Sequence, residues 1–126
     1  MDKNFTESKI TKFQDLFAWQ EAHQLALLTY RISKEFPKEE LFALTNQIRR
    51  AAVSIPSNIA EGYGRPSGKD RIHFFWIAKG SLLEMESQFL IAKDLGYIKD
   101  ISLEKSFIDQ LEKTDKLLTG LIRKTK

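Results

Sequence analysis

His23 and His73 are the only imidazoles in the 126-residue chain, and there is no cysteine. Without thiols the chain cannot build a disulfide, a Cys-ligated zinc, an iron–sulfur cluster or a thiol nucleophile. Di-iron bundles take ligands from Glu-x-x-His pairs on facing helices. Neither histidine follows such a glutamate, and the single Asp70-x-x-His73 has no second copy, so His73 reads as a solvated first-turn residue. No G-x-S-x-G elbow sets a serine on a strained turn. The run Gly62-Tyr63-Gly64-Arg65-Pro66-Ser67-Gly68 precedes a helix but lacks both the Walker lysine pattern and a preceding strand, which leaves an interhelical turn. No catalytic residue, metal or cofactor is expected.

Charge carries more information than the total of +3. Residues 1–44 sum to −1, 45–81 to +4, 82–115 to −4 and 116–126 to +4. The basic side chains thus gather around the glycine-rich turn (Arg65, Lys69, Arg71) and at the C-terminal end (Arg123, Lys124, Lys126). A second polar set, Arg49, Arg50, Asn58 and Glu61 with Ser81 and Glu84, recurs near apolar stripes. Buried charges persist only when paired and hydrogen-bonded, so a structural Arg–Glu and Asn–Ser network, between helices or between subunits, is favoured over a catalytic carboxylate pair.

The elements that must position these groups are helices. Hydrophobic residues make up 42% and charged residues 29%, a globular composition, and the length suits one domain. Ala18, Ala22, Leu25, Thr29, Ile32 and Phe36 are spaced by alternating fours and threes, predicting a first helix over about 15–35, which Pro37 closes. A second helix is expected to start at once, with Glu39 and Glu40 at its positive end and Leu41, Leu44, Ile48, Ala51, Ile55, Ile59 and Gly62 buried. Pro56 lies inside it and predicts a kink or a break. Ser67-x-x-Asp70 is a capping-box pattern opening a third helix with Phe75, Ala78, Leu82, Met85, Phe89 and Ala92 inward, ended near Gly96. A fourth, over about 102–124, carries Phe107, Leu111, Thr114, Leu118 and Leu121. Residues 1–12 form a polar arm, and 13–126 a single domain.

Short connections favour antiparallel neighbours, so the expected fold is all-α, an antiparallel up-down-up-down four-helix bundle. That topology brings the end of helix two, the start of helix three and the end of helix four to one pole. Arg65, Lys69, Arg71, Arg123, Lys124 and Lys126 would then form a basic cap beside the free amides of helix three, suited to the phosphates of RNA or DNA without reading sequence. Helix three also carries Phe74, Trp76, Ile77, Leu83 and Leu90 off its core stripe. One stripe suffices for a four-helix monomer, so this second surface is expected to meet another subunit. No stretch is apolar for the 18 or so residues of a membrane span, and Met1 to Asn4 lack a signal peptide's layout, so a cytoplasmic protein is expected.

Phe13-Gln14-Asp15-Leu16, Trp19-Gln20-Glu21-Ala22, Phe36-Pro37, Leu44-Thr45-Asn46-Gln47-Ile48-Arg49-Arg50-Ala51, Ser54-Ile55-Pro56-Ser57-Asn58-Ile59-Ala60-Glu61-Gly62 and Ala78-Lys79-Gly80-Ser81-Leu82-Leu83-Glu84 form a specific combination. They closely resemble the four-helix-bundle family encoded by intervening sequences of bacterial 23S ribosomal RNA genes, over about Phe13 to Ile98. Accessory proteins of diversity-generating retroelements share this bundle. The resemblance implies a small cytoplasmic protein, a ring-like homopentamer and no established enzymatic activity. It also raises partnership with nucleic acid or a reverse transcriptase, as in the retroelement relatives, with Arg49, Arg50, Asn58, Glu61, Ser81 and Glu84 matching the shared polar motifs.

Overall fold

The computed structural model describes residues 10–126, in which four helices and no strands occur; most of the expected N-terminal arm lies outside the described residues. The helices are α1 (Phe17–Ser33), α2 (Leu44–Tyr63), α3 (Gly68–Asp94) and α4 (Ile101–Lys124), with 3-10 turns at Phe13–Asp15 and Lys38–Glu40.

Helix one starts later than its spacing suggests. The Asp15 carboxylate accepts the backbone N–H groups of Thr11 and Lys12 at 3.0 and 3.3 Å and so closes a separate turn. Leu16 is extended and fully buried between that turn and α1. From Ala18 to Phe36 every predicted inward residue is buried.

Helix two does not start directly after Pro37. Lys38–Glu40 form a 3-10 turn, Ala43 leaves helical geometry at φ −125° and ψ −106°, and α2 begins at Leu44. Glu40 therefore serves α2 from outside it, accepting the Leu44 N–H at 3.2 Å and the Tyr97 hydroxyl at 2.8 Å. Leu41, expected inside, is 49% exposed because it precedes the helix whose face it was to share. The remaining stripe from Ile48 to Gly62 is buried. No break occurs at Pro56: α2 continues through this buried proline, whose missing N–H leaves the Ala52 carbonyl without its usual donor.

The start of α3 follows its sequence signal, with Ser67 Oγ accepting the Asp70 N–H at 3.2 Å. At its end Gly96 takes φ +77°, while Gly96 N–H reaches the Lys93 carbonyl and Tyr97 N–H the Ala92 carbonyl. This is the two-bond closure that favours a glycine in the left-handed region. Asp100 caps α4 through the Leu103 N–H at 3.0 Å. All five predicted inward residues of α4 are buried, and Phe107 stacks on Phe89 of α3 with centroids 4.5 Å apart.

Each helix packs on its neighbours in sequence, and α1 also packs on α4. Across α3 and α4 the partners are Lys93 with Glu104, Lys79 with Asp115 and Gly68 with Lys126, so numbers rise along one helix as they fall along the other. Ser54 with Ser81 and Gly62 with Phe75 show the same sense across α2 and α3. Gln110 and Thr114 of α4 donate to the Glu21 carbonyl of α1 at 3.0 and 3.1 Å.

Candidate functional site

The basic pole is built where α2 ends, α3 starts and α4 ends. The Lys126 backbone lies against Gly68, where a Cβ would otherwise stand, bringing the last basic residues to the start of α3. Lys69, Arg123, Lys124 and Lys126 are exposed and Arg71 is half-buried. None of these five forms an ion pair among the described residues.

Two details modify the expected cap. The Arg65 guanidinium is already engaged: it meets Glu61 at 2.6 Å, lies 4.6 Å from the Phe74 ring centroid, and its backbone carbonyl accepts Arg71 Nε at 2.8 Å. Arg65 and Arg71 thus shape the turn, and the exposed cations are Lys69 and the C-terminal trio. The free amides of α3 are also less open than expected, since Ser67 takes one and the Lys126 backbone covers Gly68.

The polar set between α2 and α3 forms short local links. Ser54 and Ser81 hydroxyls bridge the helices at 2.8 Å, and Asn58 donates to the Ser54 carbonyl and hydroxyl at 2.8 and 2.9 Å. Arg49 turns toward α1, donating Nε–H to Ser33 Oγ at 2.7 Å with its guanidinium over Tyr30. Glu61 pairs along its own chain segment with Arg65, not across helices. Arg50 and Glu84 line a shallow cleft of about 260 Å³ with Ser54 and Ser81, but no ion pair joins them. Within one chain no Arg–Glu pair joins α2 to α3 among the described residues, and the hydroxyl pair is the connection found between these helices.

On α3, Trp76, Ile77, Leu83 and Leu90 are 57%, 39%, 52% and 50% exposed. Phe74 differs from them, being half-buried beneath Arg65 and edge-on to His73, so it belongs to the turn and not to the outward face.

A groove of about 380 Å³ between α1 and α2 had no counterpart in the expected sites. Trp19, His23, Ala26 and Tyr30 line it from α1, and Val53, Pro56 and Ala60 from α2; the Trp19 and His23 rings stack with centroids 4.8 Å apart. The signal was present as a 4-3-4 spacing of Trp19, His23, Ala26 and Tyr30 beside the core stripe, obscured by the polar character of His23 and Tyr30. Among the described residues no three His, Cys, Asp or Glu side chains gather to hold a metal, and no helix is long and apolar enough to cross a membrane.

A search of curated proteins finds no match. The family model described as 23S rRNA-intervening sequence protein matches residues 14–120, which include all of α1 to α3 and most of α4, and the chain belongs to that family.

Proposed function

We propose that this is a non-enzymatic, cytoplasmic homo-oligomer, a pentamer by its resemblance, that contacts nucleic-acid phosphates through the basic pole. The observation that carries the nucleic-acid reading is the exposed set Lys69, Arg123, Lys124 and Lys126 at one end of the bundle, none of them ion-paired among the described residues. Repetition around an oligomer would multiply weak phosphate contacts by effective concentration. Binding is backbone-directed, so it tolerates changes of base sequence.

Titration of a labelled single-stranded RNA at two salt concentrations tests this. With four phosphate contacts the affinity falls by about 50-fold between roughly 50 and 200 mM salt, taking a log–log slope of about 0.7 per contact. The charge-reversed chain Lys69→Glu, Arg123→Glu, Lys124→Glu loses both the binding and the slope. Salt-insensitive binding, or binding retained after reversal, excludes the electrostatic mechanism. A second reading, a scaffold or accessory subunit such as one for a reverse transcriptase, is favoured by the exposed apolar residues of α3. In that case partner capture survives charge reversal and fails on Leu83→Arg.

A further inference from the structure

We propose that the cleft beside Tyr30, on the first half of α2, is a binding site for a phosphate monoester, held by the guanidinium groups of Arg49 and Arg50. Two arginines of the bundle lie over aromatic rings. Arg65, over Phe74, closes on Glu61 at 2.6 Å. Arg49 is half-buried with its guanidinium carbon 4.9 Å from the Tyr30 ring centroid, and it meets no carboxylate among the described residues. A partly desolvated cation without a counter-charge costs free energy that a bound anion recovers.

The Arg49 fork is also held in place. Its Nε–H donates to Ser33 Oγ at 2.7 Å, and Ser33 in turn donates to the Tyr30 carbonyl at 3.2 Å, which turns a hydroxyl lone pair toward the guanidinium. Ring contact and hydrogen bond together fix the plane of the group, while its terminal nitrogens make no bond among the described residues. They line a cleft of about 500 Å³ with Tyr30, Asn46, Arg50, Val53 and Ser54. No carboxylate stands in this wall. Glu84 lines the adjoining cleft with Arg50 and is ion-paired with neither arginine, so Arg49 is the fixed charge of the site and Arg50 a movable second one.

Guanidinium forks match the oxygens of phosphate and carboxylate. Two of them on one cleft favour a doubly charged group. A phosphate monoester carries about −1.5 to −2 near neutral pH, whereas a backbone diester or a carboxylate carries a single charge. The cleft therefore suits a phosphorylated metabolite or the phosphorylated end of a strand, two sources of the same group. It lies apart from the basic pole and does not depend on the diester contacts proposed there.

The test follows the arginine Nε–H signals of the full chain by NMR as methyl phosphate is added, with circular dichroism as the check on folding. The Arg49 and Arg50 signals move and saturate while that of Arg65 stays, in the unaltered chain and equally in the chain carrying Lys69→Glu, Arg123→Glu and Lys124→Glu. Dimethyl phosphate and acetate bind more weakly by about tenfold or more, and Arg50→Ala, at an exposed position, weakens methyl phosphate to a similar extent. Arg49→Lys keeps the charge but loses the fork and does likewise; Ser33→Ala, which removes no charge, weakens binding to a smaller degree. Equal binding of methyl and dimethyl phosphate, a response that vanishes with the charge-reversed pole, or affinity unchanged by Arg50→Ala overturns the site, and the pole's own binding of RNA stands or falls separately. An oligonucleotide with a terminal phosphate that moves Arg49 where its terminal-hydroxyl form does not assigns the strand end; oligonucleotides that leave Arg49 unmoved while methyl phosphate binds assign the metabolite.

Discussion

At Gly62 the backbone of α2 lies so close to α3 that a Cβ would meet Phe75 Cε1 at 2.7 Å and the Arg71 carbonyl at 3.0 Å. The ring sits in a packed core and the carbonyl is fixed in a helix, so neither can withdraw freely. Gly62→Ala is expected to destabilise the fold by about 1–3 kcal/mol, the range for overpacking, visible as a lowered melting temperature. Two titrating groups give further expectations. Backbone hydrogen bonding from Thr11, partly opposed by desolvation, holds the Asp15 carboxyl below its ordinary 3.8. Its folded value is depressed, so its contribution is present above that value and is lost as pH falls through the lowered one. Carboxyl-detected NMR should find the Asp15 inflection below 3.8, and Thr11→Val, which removes the hydroxyl bond and keeps the larger main-chain one, should raise it only part of the way back. Tyr97 moves the other way, its hydroxyl held above 10.0 first by the bond it donates to Glu40. That contribution is present below 10 and is lost as pH rises through the raised value, so Glu40→Gln should bring the Tyr97 absorbance titration back toward 10.

Among the elements, the starts of α3 and α4 and the end of α3 are better specified than the starts of α1 and α2. Asp100 and Ser67 cap as their residue types suggest, and Gly96 closes α3 because glycine adopts its positive φ without strain. Asp100→Ala should cost about 0.5–2 kcal/mol in a denaturant midpoint. Asp15 and Glu40 were misplaced for one shared reason. A carboxylate near a helix start can sit inside the first turn or just outside it, and spacing does not distinguish the two. In this chain both carboxylates end separate 3-10 turns, Asp15 accepting the Thr11 and Lys12 N–H groups and Glu40 the N–H of Leu44, the first residue of α2, so that α1 is delayed by two residues and α2 by several. Gly120→Ala should stabilise α4 by about 0.5–1 kcal/mol, the ordinary helix-propensity difference, since nothing lies within 4 Å of the new methyl.

For the whole molecule the two tryptophans report on different surfaces. Trp19 is half-buried at the groove and Trp76 is 57% exposed on α3. If the chain self-associates as proposed, in a Trp19→Phe background the Trp76 emission should shift to shorter wavelength as protein concentration rises, and Leu83→Arg should abolish that shift. The polarity of charge seen as blocks in the chain becomes spatial because the Lys126 backbone meets Gly68, gathering the trio 123, 124 and 126 with Lys69. Lys79 with Asp115, Lys93 with Glu104 and Lys113 with Glu21 meanwhile pair basic and acidic residues between helices along the sides.

The helical class, the inward residues of α1, α3 and α4 and the family were all legible in the chain, because 3.6-residue periodicity and capping residues act locally and the specific motifs lie in continuous stretches. What the sequence could not decide was which off-stripe residue faces water and which cation is free. Phe74 and Trp76 are two positions apart and equally apolar, yet Arg65 covers one and leaves the other open. Arg65 and Lys69 carry equal charge, yet Glu61 neutralises only the first. The groove between α1 and α2 likewise exists only after two helices are brought side by side, since neither stripe alone is concave. Those outcomes depend on contacts between segments distant in sequence, which local spacing does not encode and tertiary packing does.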